Sequence, residues 1–200
     1  MRKTLDKLIS WTGLVLAAVL LVAGGLLMYG SNFASNNVKD QLSQQDITMP
    51  SGQAISALKS TEAQEALKPF AGQKMTTGPQ AKAFADHYIL EHMNAASNGR
   101  TYEEVSGEFI KMSKDASADP AQLKQLGDLR QTLFMGNTLR GLLLEAYAFG
   151  TMGTIALWAA IGAFVGAAVF LVLGILGLRH AETAPDTIGA SDVKKPVTVS

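Results

Sequence analysis

Two long stretches without a charged residue constrain this chain more than any other feature. The first runs from Leu8 to Val38, and its apolar part is LISWTGLVLAAVLLVAGGLLMYG, residues 8–30. The second runs from Ala146 to Leu178 and reads AYAFGTMGTIALWAAIGAFVGAAVFLVLGILGL. As helices rising ~1.5 Å per residue, both outreach the ~30 Å hydrocarbon core of a bilayer. Each is therefore expected to cross a membrane. A cleaved signal peptide is the competing reading of the first, because Arg2, Lys3 and Lys7 precede it. Signal cores are only about 7–15 residues long, and no A-x-A site closes this run, so an uncleaved anchor is expected.

Basic residues set the expected orientation. Arg2, Lys3 and Lys7 precede the first span and Arg179 closes the second, whereas residues 31–38 are uncharged. Both termini are thus expected in the cytoplasm of a multi-pass plasma-membrane protein. The boundaries that follow are a cytoplasmic N-terminus (1–7), a first span (8–30), an extracytoplasmic helical domain (31–145), a second span with its membrane-proximal extension (146–178) and a disordered cytoplasmic tail (179–200). The chain has no cysteine, so this domain has no disulfides to staple it. A net charge of zero leaves no nucleic-acid footprint.

Within residues 31–145 the punctuation is helical. SNFASNNVKDQLSQQDITMPSG reads as a polar connector with a helical fragment around Val38 and Leu42 and an extended piece at Ile47 to Met49. Ser60 or Thr61 caps a short helix stopped by Pro69 and Gly72. Thr77 or Gly78, with Pro79 in the first turn, starts a helix that runs to Ala96. TYEE at Thr101 to Glu104 is a capping box. Asp119-Pro120 starts a helix to about Met135, and Asn137 begins another that leads into the second span. No alternating strand pattern occurs. The fold class expected is all-α, two transmembrane helices flanking a small helical extracytoplasmic domain that is short of large apolar residues.

Three groups of residues are candidates for function. The helix TGPQAKAFADHYILEHM carries His87 and His92, which on an ideal helix lie about 140° apart and cannot share an ion. His87 pairs by spacing with Glu91 but lacks further ligands. Its apolar stripe, Ala81, Phe84, Ala85 and Tyr88, places His92 inward and His87 toward solvent. In the second span Gly162 and Gly166, flanked by Ala159, Ala163 and Ala167, form a face small enough for close helix approach. The partner there is either the first span, with Gly13, Ala17, Gly24 and Gly25, or a helix of another subunit. Arg140, in the apolar sequence NTLRGLLLEAYAF, either anchors at the lipid headgroups or pairs with an acid. No nucleotide loop, hydrolase elbow or thiol chemistry is present, and no catalytic residue, metal or cofactor is expected.

The blocks DQLSQQDITMP, AGQKMTTGPQAKAFADHYILEHM, RTYEEVSG and QTLFMGNTLRGLLLEAYAFGTMG resemble a family of two-transmembrane-helix proteins of actinobacteria. The resemblance covers about residues 5–180. Members are often named after aromatic ring-opening dioxygenases. Such enzymes need two histidines and a carboxylate around iron, which the helix geometry above does not supply. The resemblance implies an accessory subunit of the respiratory supercomplex that joins a cytochrome bc complex to a cytochrome aa3 oxidase. The function expected is therefore a non-catalytic accessory or stabilising subunit, with other integral membrane subunits and the lipid bilayer as partners. The alternative is a free-standing membrane sensor or small-molecule or lipid-binding protein that uses Tyr88, His92 and Arg140.

Overall fold

The computed structural model describes residues 2–183, so most of the tail expected to be disordered lies outside the described residues. Seven α-helices account for nearly all of what is described: α1 (Arg2–Gln44), α2 (Gln53–Ser56), α3 (Thr61–Leu67), α4 (Gly78–Phe84), α5 (Leu90–Ser97), α6 (Tyr102–Met112) and α7 (Pro120–Thr183). One π turn (Ala85–Ile89) joins α4 to α5, and a 3-10 turn (Lys68–Phe70) ends α3. Among the described residues the extended structure is limited to one antiparallel bridge between Thr48 and Lys74. The chain is all-helical, and α1 and α7 are each long and apolar enough to cross a membrane.

The chain divides into two compact units. Among the described residues one comprises 2–29 and 156–183, the other Gly30–Ile155. In the first, α1 and α7 run antiparallel. A Cβ on Gly174 would lie 2.9 Å from the Leu14 side chain, and one on Gly166 would lie 3.3 Å from Leu20. Moving forward along α7 therefore moves backward along α1.

The second unit is built from local signals that act as the sequence suggests. The Ser60 hydroxyl accepts from the Ala63 N–H, and Thr77 and Thr101 each form a reciprocal capping box, with Gln80 and Glu104. Asn98 adopts the left-handed conformation that closes α5. The elements so defined enclose two small cores. Leu42, Met49, Leu67, Met75, Ala85 and Leu143 belong to one; Met93, Val105, Leu126 and Leu133 form the other.

Two expectations are corrected here. The helical fragment expected at Val38 and Leu42 is longer than a fragment, because α1 continues unbroken to Gln44, while the extended piece at Ile47 to Met49 is present as the Thr48 bridge. Val38 and Leu42, one helical turn apart, are buried in the first core, and that burial carries the Ser- and Asn-rich sequence as helix. The break expected near Gly136 is also absent, since α7 is one helix of 64 residues. A side chain on Gly136 would occupy the space of the Met93 thioether. This glycine admits a neighbour rather than ending a helix.

Candidate functional site

The helix that carries the two histidines begins conventionally. Gln80 is buried, its amide oxygen accepts from the Thr77 N–H at 3.1 Å, and its amide nitrogen donates to Gln73 Oε1 at 3.0 Å. Gly78 lets this end approach α7, since a Cβ there would lie 3.1 Å from Tyr147 Cα. After Phe84 the helix widens into the π turn, in which the Leu90 N–H donates to the Ala85 carbonyl. An i→i+5 bond of this kind inserts one extra residue into the helix.

Arg140 holds that turn from α7. Its Nε donates to the same Ala85 carbonyl at 3.0 Å, and its terminal nitrogen donates to Asp86 Oδ1 at 3.2 Å. Lys82 takes the other oxygen, Oδ2, of Asp86. Burial pushes the Asp86 carboxyl up, but the hydrogen bonds and charges of Lys82 and Arg140 outweigh it and hold the group below its ordinary value. The hydrogen bond to Asp86 outweighs desolvation in raising Lys82. Of the two readings of Arg140, the structure shows pairing with an acid of its own domain.

The inserted residue rotates everything after it. In an unbroken α-helix the face of Ala81 and Ala85 would continue through residue 92; with one residue added it continues through Met93 and Ser97, both buried. His92, expected inward, is exposed. It extends a ladder of rings one turn apart. Phe84 and Tyr88 stack with centroids 5.0 Å apart, and Tyr88 meets His92 at 4.4 Å. His92 Nδ1 lies 2.7 Å from the Tyr88 carbonyl, so Nδ1 carries the proton. His87 is half-buried rather than solvated. No group of three or more metal-ligating side chains occurs among the described residues.

Of Tyr88, His92 and Arg140, His92 alone borders the cleft beside α5. His92 lines an open cleft of about 490 Å³ with Leu58, Lys59, Glu91, Asn94 and Asn98, and neither Tyr88 nor Arg140 borders it. Arg140 acts instead on the π turn.

The small-residue face of α7 is divided. Ala167 is buried, and Ala163 and Gly166 are half-buried, whereas Ala159 is exposed and Gly162 meets nothing within 4 Å. The face that packs on α1 follows a seven-residue spacing instead. Ala160, Ala167, Gly174 and Ala181 are buried on α7 in this unit, as are Ser10, Ala17 and Gly24 on α1. Seven residues are close to two helical turns, so each set forms one seam. Ser10, Ala160 and Gly174 lie on this seam and fall outside the four-residue spacing of Gly162 and Gly166. The seven-residue spacing is visible in the sequence once both helices are aligned on it.

No protein-family model matches the chain, and neither a curated protein nor a solved structure matches it.

Proposed function

We propose that this chain is a non-catalytic accessory subunit that braces, or helps assemble, a larger membrane protein complex. In this reading α1 and α7 sit in the plasma membrane with both termini cytoplasmic and the Gly30–Ile155 unit extracytoplasmic. The observation that carries it is the apolar surface of that unit: Phe134, Met135, Leu142 and Met152 on α7 are all more than half exposed. Exposed apolar side chains grouped on one element mark contact surfaces. Ala159 and Gly162, left uncovered by α1, offer a second place for a neighbouring helix. The chemistry of Asp86 agrees with a structural role, since both its oxygens are engaged and its lowered pKa makes it a poor base. The family resemblance supplies the host, the supercomplex of cytochrome bc and cytochrome aa3 oxidase.

Extraction in mild detergent tests this reading. The chain should travel in a high-mass particle with those cytochromes, and Leu142→Ser with Met152→Ser should release it without unfolding it. Migration of the unaltered chain as a monomer or homo-oligomer would count against the proposal.

The cleft beside His92 favours the second reading, a sensor or binding protein for a small polar molecule. If that holds, a ligand that raises the melting temperature should lose its effect in His92→Ala and Asn98→Ala.

A further inference from the structure

We infer that the bilayer ends at the level of Tyr29 and Trp158, so the apolar stretch from Ala146 to Ile155 stands on the aqueous side of the hydrocarbon. The inference rests on reading α1 and α7 as membrane spans, and it moves the start of the second span by about three helical turns.

Charge alone leaves the position open. Lys7 and Arg179 mark one end of the helix pair, but at the other end the first charged residues are Lys39 and Glu145. From Lys7 to Lys39 is about 48 Å of helix, much more than the ~30 Å the hydrocarbon takes. Aromatic residues resolve it. Trp11, Tyr29 and Trp158 are 60%, 73% and 68% exposed, so each projects from the helix pair rather than packing within it. Tryptophan and tyrosine in such positions favour the two membrane interfaces.

Their levels agree. Gly24 of α1 is matched with Phe164 of α7, and Leu20 with Gly166. Continuing that antiparallel register places Tyr29 within about a residue of Trp158 along the helix axis. Eighteen residues separate Trp11 from Tyr29, a rise of about 27 Å, close to the hydrocarbon thickness. Counting the same distance from Trp158 ends at Leu176, three residues before Arg179. Both helices therefore place an aromatic ring at one boundary and reach charge just beyond the other.

Polar side chains on α1 point the same way. Asn32, Asn36 and Asn37 are exposed, and an exposed amide has no hydrogen-bond partner in hydrocarbon. The same level on α7 falls near Gly153, where a Cβ would lie 3.0 Å from Ala34 Cβ and 3.4 Å from the Ser31 carbonyl. If these asparagines are in water, residues around Gly153 are level with water too. Phe149 and Met152, 38% and 55% exposed, then face water or protein and not lipid.

The chain contains only two tryptophans and no cysteine, which makes the test direct. Trp11→Phe leaves Trp158 as the only indole, and that variant is reconstituted in phosphatidylcholine vesicles brominated either near the headgroup or near the acyl-chain end. The inference places Trp158 about 13 Å from the midplane, whereas a span centred on residues 146–178 places it about 6 Å away. Stronger quenching by the shallow bromines is expected; stronger quenching by the deep ones would overturn the placement. Quenching by neither would remove the membrane reading itself. In the same vesicles Met152→Cys should react with a charged maleimide at a rate within a few-fold of Glu145→Cys, and Val165→Cys should react at least ~10-fold more slowly. A Met152→Cys rate matching that of Val165→Cys would also overturn the placement.

Discussion

The helix pair formed by residues 2–29 and 156–183 and the Gly30–Ile155 unit hold their helices together by different means. In the pair, the fully covered positions are small: Ala17, Ala160, Ala167 and Gly174, with Ser10 the one hydroxyl among them. Large apolar side chains such as Leu26, Ile161 and Val165 point outward. In the other unit the arrangement is reversed. Leu42, Met49, Leu67, Leu133 and Leu143 are inside, and the exposed positions carry most of the charge. A solvent of lipid gives large apolar groups no reason to turn inward, so association depends on how closely backbones approach. In water the same groups are driven inward, so association depends on the area they bury.

This contrast can be broken most severely where burial does the work. Leu143→Ala removes a fully covered side chain from the first core and should cost about 2–5 kcal/mol, read as a lower denaturation midpoint in detergent. The seam should respond to added bulk instead. Gly174→Leu would press on Leu14 and on the Ser10 carbonyl, 3.2 Å from a Cβ there, and should cost roughly 1–3 kcal/mol, with disulfide cross-linking between paired cysteines on α1 and α7 reporting the separation. Equal sensitivity of both sites to truncation and to enlargement would erase the distinction.

Arg140 tests the polar side of the comparison. Arg140→Ala removes two hydrogen bonds at a pair whose side chains are 21% and 22% exposed, so a loss of ~1–2 kcal/mol is expected after allowance for solvent screening. The pair also carries a pH signature. Because Asp86 is held below its unfolded value, its contribution is complete above the ordinary carboxylate range and disappears as pH falls through the lower folded value. Acid unfolding of the unaltered chain should therefore be steeper than that of Arg140→Ala, as followed by circular dichroism. The smallest effect is expected at Gly25, which has nothing within 4 Å of a Cβ. Gly25→Ala should be neutral or stabilising by up to about 1 kcal/mol, whereas Gly24→Ala, whose Cβ would meet the Phe164 ring at 2.9 Å, should destabilise.

What could be read from the sequence divides by range. Caps at Ser60, Thr77 and Thr101 were legible because the donor, the acceptor and the partner three residues on all lie within a few positions. The two long apolar helices were legible from composition alone. The π turn was not, because a residue 55 positions away contributes to holding the Ala85 carbonyl, and without it the phase of His92 was counted one residue wrong. Gly136 misled for the same reason, since its use is set by Met93 on another helix. The small-residue face divides between the two partners the sequence allows: Ala163, Gly166 and Ala167 lie near the seam with α1, and α1 leaves Ala159 and Gly162 uncovered.

The π turn also bears on how this helix tolerates changes in length. An extra residue is already absorbed between Ala85 and Ile89, so deleting one there, His87 for example, should let the segment close as ordinary α-helix without shortening its neighbours. Azimuth as well as continuity would be kept. Met93, moved one place earlier in the count, would fall on the Ala81–Ala85 face of the unbroken helix and stay beside Gly136, and His92 would stay at the surface. A homologue one residue shorter in this stretch should therefore keep its large apolar side chain at the position aligned with Met93.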